Sequence, residues 1–236
     1  MPLMGPGPKP FITLLALALG ACATQFGMRD ASEKRLTMFS QIVFAPDYDS
    51  RRTDYLAKWA SPLRITLLGD GAEAQRTPVK SRAKALSELI GLDITLATQN
   101  KPANVTIYFA KPEKMDALAG AVMKNRSSIK SALLTNGCAS YYDKDAGHRI
   151  TSASIFVHTG EDVTTLSSCI SQQMTHILGM PNNSDLIQPS IFNASVQLLQ
   201  LTALDLKFVR TLYTPALMPG MARREALLIA DGLLQK

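Results

Sequence analysis

The chain has 236 residues, 25 Lys and Arg against 19 Asp and Glu, a formal charge of +6, and 46% hydrophobic residues. That is long enough for one domain with a sizeable core and too apolar for a disordered chain. Its basic residues (Arg29, Lys34, Arg35, Arg51, Arg52, Lys80, Arg82, Lys84) are dispersed and do not form a stripe interleaved with aromatics, which argues against nucleic acid as a partner.

Residues 1–21 have the anatomy of a signal peptide. One basic residue, Lys9, precedes an apolar run from Phe11 to Gly20, shorter than the roughly 20 residues that a bilayer span requires. Leu19-Gly20-Ala21-Cys22 then has the form of a bacterial lipobox, so Cys22 is the expected lipidated first residue of the mature protein. Several acyl chains anchor stably, because each buried CH₂ adds about 0.8 kcal/mol. Ala23 follows the cysteine, with no aspartate there to suggest inner-membrane retention. The expected location is therefore the bacterial envelope, lipid-anchored in the outer membrane and facing the periplasm. With Cys22 acylated, Cys138 and Cys169 remain as a pair in an oxidising compartment, where a disulfide is expected.

Residues 22–40 are polar and mixed in charge and read as a tether, helical near its end. A single domain is expected over 41–236. Pro62–Gly69 alternates and ends in Gly69-Asp70-Gly71, a strand and turn. Thr77-Pro78 opens a helix whose apolar stripe is Ala83, Leu86, Leu89 and Ile90, stopped by Gly91. Asp93–Ala97 and Asn104–Ala110 carry β-branched alternation and read as strands. Pro112 begins a helix running to Met123, Ser131–Tyr142 reads as extended, and His148–His158 is the clearest strand. Asp162 caps a helix running to Leu178, and Gly179 and Pro181 end it. Two helices, Val196–Tyr213 and Arg223–Leu234, close the chain. The expected fold class is α+β, a small mixed sheet with one long helix and C-terminal helices.

The long helix carries the chemistry-bearing pattern. Gln172-Gln173-x-x-His176-x-x-Gly179-x-x-Asn182 matches the spacing of H-E-x-x-H-x-x-G-x-x-H. In that motif two histidines one turn apart bind zinc, a glutamate acts as base, and a glycine turns the chain toward a third ligand. His176 and Gly179 match. Gln172 replaces the first histidine, Gln173 the glutamate and Asn182 the third ligand. A glutamine amide is a poor zinc ligand and has no basic lone pair to take a proton from water. Gln173, His176 and Asn182 are thus weak catalytic candidates, and His176 is a weak metal candidate. No cofactor is expected. The competing reading is an unconventional zinc peptidase using His176 with carboxylates from elsewhere.

Other candidates are weaker. His148 and His158 stand ten residues apart, about 33 Å along an extended strand, too far to share a metal with each other. His158 could meet His176 where the strand end lies near the helix, and the competing reading is two surface or capping histidines. No G-x-S-x-G is present, and Gly69-Asp70-Gly71 lacks the lysine of a phosphate loop. Asp205 and Asp231 are as readily salt-bridge partners as acids in a site. Met218 and Met221 fit either a methionine turn under the helix or ordinary core filler.

From about residue 41 to 235 the chain resembles the exported bacterial family known as domain of unknown function 2927. The resemblance rests on Leu56-Ala-Lys-Trp-Ala-Ser-Pro-Leu-Arg-Ile, on Cys138 and Cys169, and on His176-Ile-Leu-Gly-Met-Pro-Asn-Asn with Ser190-Ile-Phe-Asn193. It extends through Leu201-Thr-Ala-Leu-Asp205 into Leu212-Tyr-Thr-Pro-Ala-Leu-Met-Pro-Gly-Met221. It implies a zincin-shaped scaffold without a full metal triad. The family pattern favours acids at positions 172 and 173, which this chain has lost. The expected partners are the membrane lipid that holds the anchor and an envelope protein, peptide or cell-wall ligand in the groove that a protease would use.

Overall fold

The computed structural model describes residues 1, 15–45, 53–123 and 127–235. Their elements run α1 (Leu15–Phe44), β1 (Lys58–Trp59), β2 (Leu63–Gly69), α2 (Arg76–Ile90), β3 (Ile94–Leu96), β4 (Val105–Ala110), α3 (Pro112–Met123) and α4 (Ser127–Asn136). β5 (Cys138–Lys144), β6 (Arg149–His158), α5 (Val163–His176), α6 (Ala203–Leu212) and α7 (Arg223–Leu234) follow. This is the expected α+β class with a mixed sheet. Strands β1, β6, β4, β2 and β3 are parallel and adjacent in that order, and β5 pairs antiparallel with β6.

Strand alternation divides the core between the two faces of the sheet. Val105, Ile107 and Phe109 on β4, with Ile155 and Val157 on β6, join the large cluster formed by α1, α2, α5, α6 and α7. Ala110 and Phe156 face the opposite way and pack with Met115, Ala119 and Met123 of α3 and with Ile129 and Leu133 of α4. Period-2 side-chain direction is sufficient to generate this division. Helices cover both faces, so the inner strands carry apolar residues on each.

The structure differs from the sequence reading in three places. Ser131–Asn136 is the second half of α4 and not extended chain, because Ile129 and Leu133 lie one helical turn apart and pack under α3. Gly137 ends that helix at φ +72, its N–H bonded to Leu133 O at 2.9 Å, and β5 starts at the next residue. Helix α6 starts at Ala203 and not near Val196, since Thr202 and Asp205 form a reciprocal capping box. At the N-terminal end, Met38, Phe39 and Ser40 are buried, so the packed part of the chain begins ahead of Gln41.

The cysteine pair forms the expected bridge. Cys138 at the start of β5 is bonded to Cys169 in α5, with Cα atoms 6.0 Å apart and a sequence separation of 31. It ties the antiparallel edge strand to the helix bearing the motif. Replacing both cysteines by serine is expected to cost about 3.5–4 kcal/mol, from the loop entropy returned to the unfolded chain. Urea unfolding of the double variant checks the figure.

Candidate functional site

Helix α5 is held at both ends. Asp162 Oδ1 accepts from Thr164 N at 2.8 Å and Thr165 N at 3.1 Å, satisfying donors that the first turn would leave orphaned. At the other end the chain passes through Ile177, Leu178 and Gly179, and each of these residues is fixed from outside the helix. Trp59 Nε1 donates to Ile177 O at 2.8 Å, and Tyr213 OH donates to Leu178 O at 2.9 Å. Gly179 has φ +106, and a Cβ there would lie 2.2 Å from Ala57 O. The motif glycine therefore lets β1 lie directly on the turn.

The motif side chains do not converge. Gln173 is buried, and its Oε1 accepts from Ser140 Oγ on β5 at 2.7 Å. His176 is buried, and its Nδ1 donates to Met180 O at 2.6 Å, which fixes the proton on that nitrogen because a carbonyl only accepts. Its ring meets Phe192 edge-on with centroids 5.8 Å apart. Half-buried Gln172 donates to Ile191 O at 3.0 Å and to Asn183 Oδ1 at 3.3 Å. Asn182 binds a different element altogether. Its Nδ2 donates to Ala45 O at 3.2 Å and to Ile42 O at 3.5 Å, capping carbonyls at the end of α1. The residue at the third-ligand position thus joins α1 to the segment after α5. Among the described residues no group of three or more His, Cys, Asp or Glu side chains is arranged to hold a metal ion.

The remaining sequence candidates are dispersed. His148, at φ +59, stacks on Tyr55 with ring centroids 4.9 Å apart. His158 is buried at the end of β6 with Nε2 unpartnered. Asp205 is buried and accepts from Ser190 Oγ at 2.6 Å, Ile191 N at 3.0 Å and Thr202 N at 2.8 Å. It orders the loop before α6 and takes no part with His176. Met221 is core, whereas Met218 is exposed. The side chain of Cys22, and residues 2–14 of the leader, lie outside the described residues.

All three histidines have pKa values below the ordinary 6.5, chiefly through burial. Lys144 adds to the effect at His148 while Asp145 opposes it, and Glu161 opposes it at His158. The Met180 carbonyl and the Asn183 side chain oppose it at His176. In the window below about 6.5 the unfolded chain therefore binds more protons than the folded one, and stability falls as the pH falls. Urea midpoints should drop between about pH 7.5 and pH 5.5, ahead of carboxylate titration. His176→Gln should flatten that slope, and a flat response in the parent protein would contradict it.

Lys58 is a buried cation to which sequence reasoning gave no role. Its Nζ donates to Leu212 O at 3.1 Å and Thr214 O at 3.2 Å, and lies 5.4 Å from the centre of the Tyr213 ring. Burial pulls its pKa down to about 8. The signal was a lysine inside Leu56-Ala57-Lys58-Trp59, a run buried throughout. Its position at the C-terminal end of α6 is where a cation suits the helix dipole. Burial also pushes the Tyr213 phenol up, keeping it a hydrogen-bond donor to the α5 turn.

Among the described residues no helix is long and apolar enough to cross a membrane. The family model described as Protein of unknown function (DUF2927) matches residues 32–230. No curated protein matches the chain.

Proposed function

For a chain that belongs to the DUF2927 family, whose description assigns no activity, we propose a non-catalytic role as a lipid-anchored protein of the bacterial cell envelope. The acyl anchor is at Cys22, in the outer membrane with the domain facing the periplasm. The domain is a zincin-like scaffold with a degenerate metal motif, and it serves binding or structure in the envelope. The lipobox supports the anchor, and the Cys138–Cys169 bridge suits an oxidising compartment.

One observation carries the non-catalytic reading. Gln173 and His176, the positions that would supply base and ligand, are both buried and already hydrogen-bonded within the protein, to Ser140 and Met180. A zinc hydrolase needs an open metal position and a base within reach of water. A groove for peptide along this stretch of α5 is not supported either, since Gln173 and His176 are packed over. Any ligand is better sought elsewhere on the domain.

The test is native mass spectrometry of the exported full-length Cys22→Ser protein, titrated with zinc. The proposal predicts no stoichiometric zinc. One equivalent that disappears in His176→Ala would overturn it in favour of a zinc peptidase using His176. Labelling with a palmitate analogue tests the anchor separately: incorporation should occur in the parent and vanish in Cys22→Ser.

A further inference from the structure

A cavity of about 500 Å³ opens between α2, α5 and α6, away from the motif residues. That volume falls within the roughly 300–1,000 Å³ of typical small-ligand sites. Its walls are mainly aliphatic, with Leu86 and Leu89 from α2, Ile170 from α5, Leu201 from the loop before α6 and Leu206 from α6 itself. The sequence stripe placed Leu89 in the core with Leu86 and Ile90. In the structure Leu89 is only half-buried and lines the cavity.

Among these apolar walls stands one cation. Arg82 is half-buried, and its Nη2 donates to Leu199 O. No Asp or Glu among the described residues pairs with it. A guanidinium has five N–H donors in a planar fork suited to the two oxygens of a carboxylate or phosphate, so one carbonyl leaves most of that capacity unused. Burial lowers the Arg82 pKa from its ordinary value, the mark of a partly desolvated charge. An anion arriving there meets less competition from water than at an exposed arginine. Ser81 and Ser167 also line the cavity and offer hydroxyls to a polar head.

We propose that this cavity binds a single-chain anionic amphiphile, its carboxylate or phosphate head on Arg82 and its aliphatic chain against Leu86, Leu89, Ile170, Leu201 and Leu206. The pairing follows from complementarity on both counts. An uncharged lipid would leave the cation unpaired, and a small anion would leave the aliphatic wall wet. A peptide is the poorer fit, because the cavity is lined by helices and a loop and offers no sheet edge for a backbone to pair with. The proposal is independent of the anchor and of the non-catalytic reading of α5.

Isothermal titration of the full-length Cys22→Ser protein with dodecanoate and dodecyl phosphate, below their micellar concentrations, tests it. The expected result is saturable binding of one equivalent of each, with dodecanol binding at least about tenfold more weakly, the equivalent of about 1.4 kcal/mol for a charge-assisted contact. Arg82→Gln should weaken the anions by a similar factor, and Arg82→Lys should restore part of the loss. Ala85→Trp, at an exposed position on the cavity wall, should abolish binding by filling the space while keeping Arg82. Thermal unfolding confirms that each variant folds. Absence of saturable binding, dodecanol binding as tightly as the anions, or indifference to both Arg82→Gln and Ala85→Trp would each overturn the proposal.

Discussion

Gly179→Ala is expected to destabilise the domain by about 3–5 kcal/mol, the largest effect of any single-methyl change near the motif. Two costs add. Gly179 sits at φ +106, a conformation L residues rarely adopt, and the new Cβ would lie 2.2 Å from Ala57 O. Backbone is no flexible neighbour, so β1 must retreat. Ala57 is followed by Lys58 and Trp59, whose side chains hold the end of α6 and the turn after α5. With total stability usually about 5–15 kcal/mol and a shift of about 2–4 °C per kcal/mol for a chain of this size, Tm should fall by about 6–20 °C. A fall of only a degree or two, measured by circular dichroism, would show that β1 does not press on the turn.

Asp205→Ala is expected to cost about 3–5 kcal/mol, for a different reason. The carboxylate accepts from Ser190 Oγ, Ile191 N and Thr202 N in a fully buried position. Removing it strands two backbone N–H groups and a hydroxyl, each costing about 1–3 kcal/mol when left buried and unpaired, and dismantles the α6 cap. Asp205→Asn should lose less, because its Oδ1 can still accept from Ile191 N and Thr202 N while its NH₂ faces Ser190 Oγ, a hydroxyl that can accept. The segment between α5 and α6 should also become more readily cut by protease, since Asp205 holds both Ile191 and Thr202. Unchanged stability and unchanged proteolysis in both variants would contradict this role.

Much of the fold was legible because its signals are local. The alternation of Asn104–Ala110 and His148–His158 marked two strands, which the structure pairs in parallel as β4 and β6. The Asp162 cap placed the start of α5, and Pro112 the start of α3. Two further local signals were present and passed over. Thr202-x-x-Asp205 is a capping box, and Gly137 punctuates a helix followed by a strand. Met38 and Phe39 have helical spacing with Ile42 and Val43 but follow a polar stretch, so residues 38–40 of the packed end of α1 looked like tether.

The site was legible only as a spacing. His176 and Gly179 stand where the motif requires them, yet what each side chain meets is decided by chain far away. Asn182 meets the end of α1, about 140 residues earlier. Gln173 meets Ser140 on β5, and Gly179 meets Ala57 just before β1. No local pattern specifies such partners, because they depend on which strand forms the edge and where β1 lies. The same holds for Lys58, which reads as a surface lysine until α6 is placed over it.

The most direct test of the central claim, that the motif end of α5 is closed interior, is the deuterium exchange of the three histidine C2 hydrogens, followed by mass spectrometry on the native protein. His176 is buried, hydrogen-bonded at Nδ1 and packed edge-on to Phe192, whereas His148 is partly exposed. The expected order has His176 exchanging much more slowly than His148, with no change on adding zinc. Exchange of His176 as fast as that of His148, slowed specifically by zinc, would mean that the imidazole is open to solvent and available as a ligand.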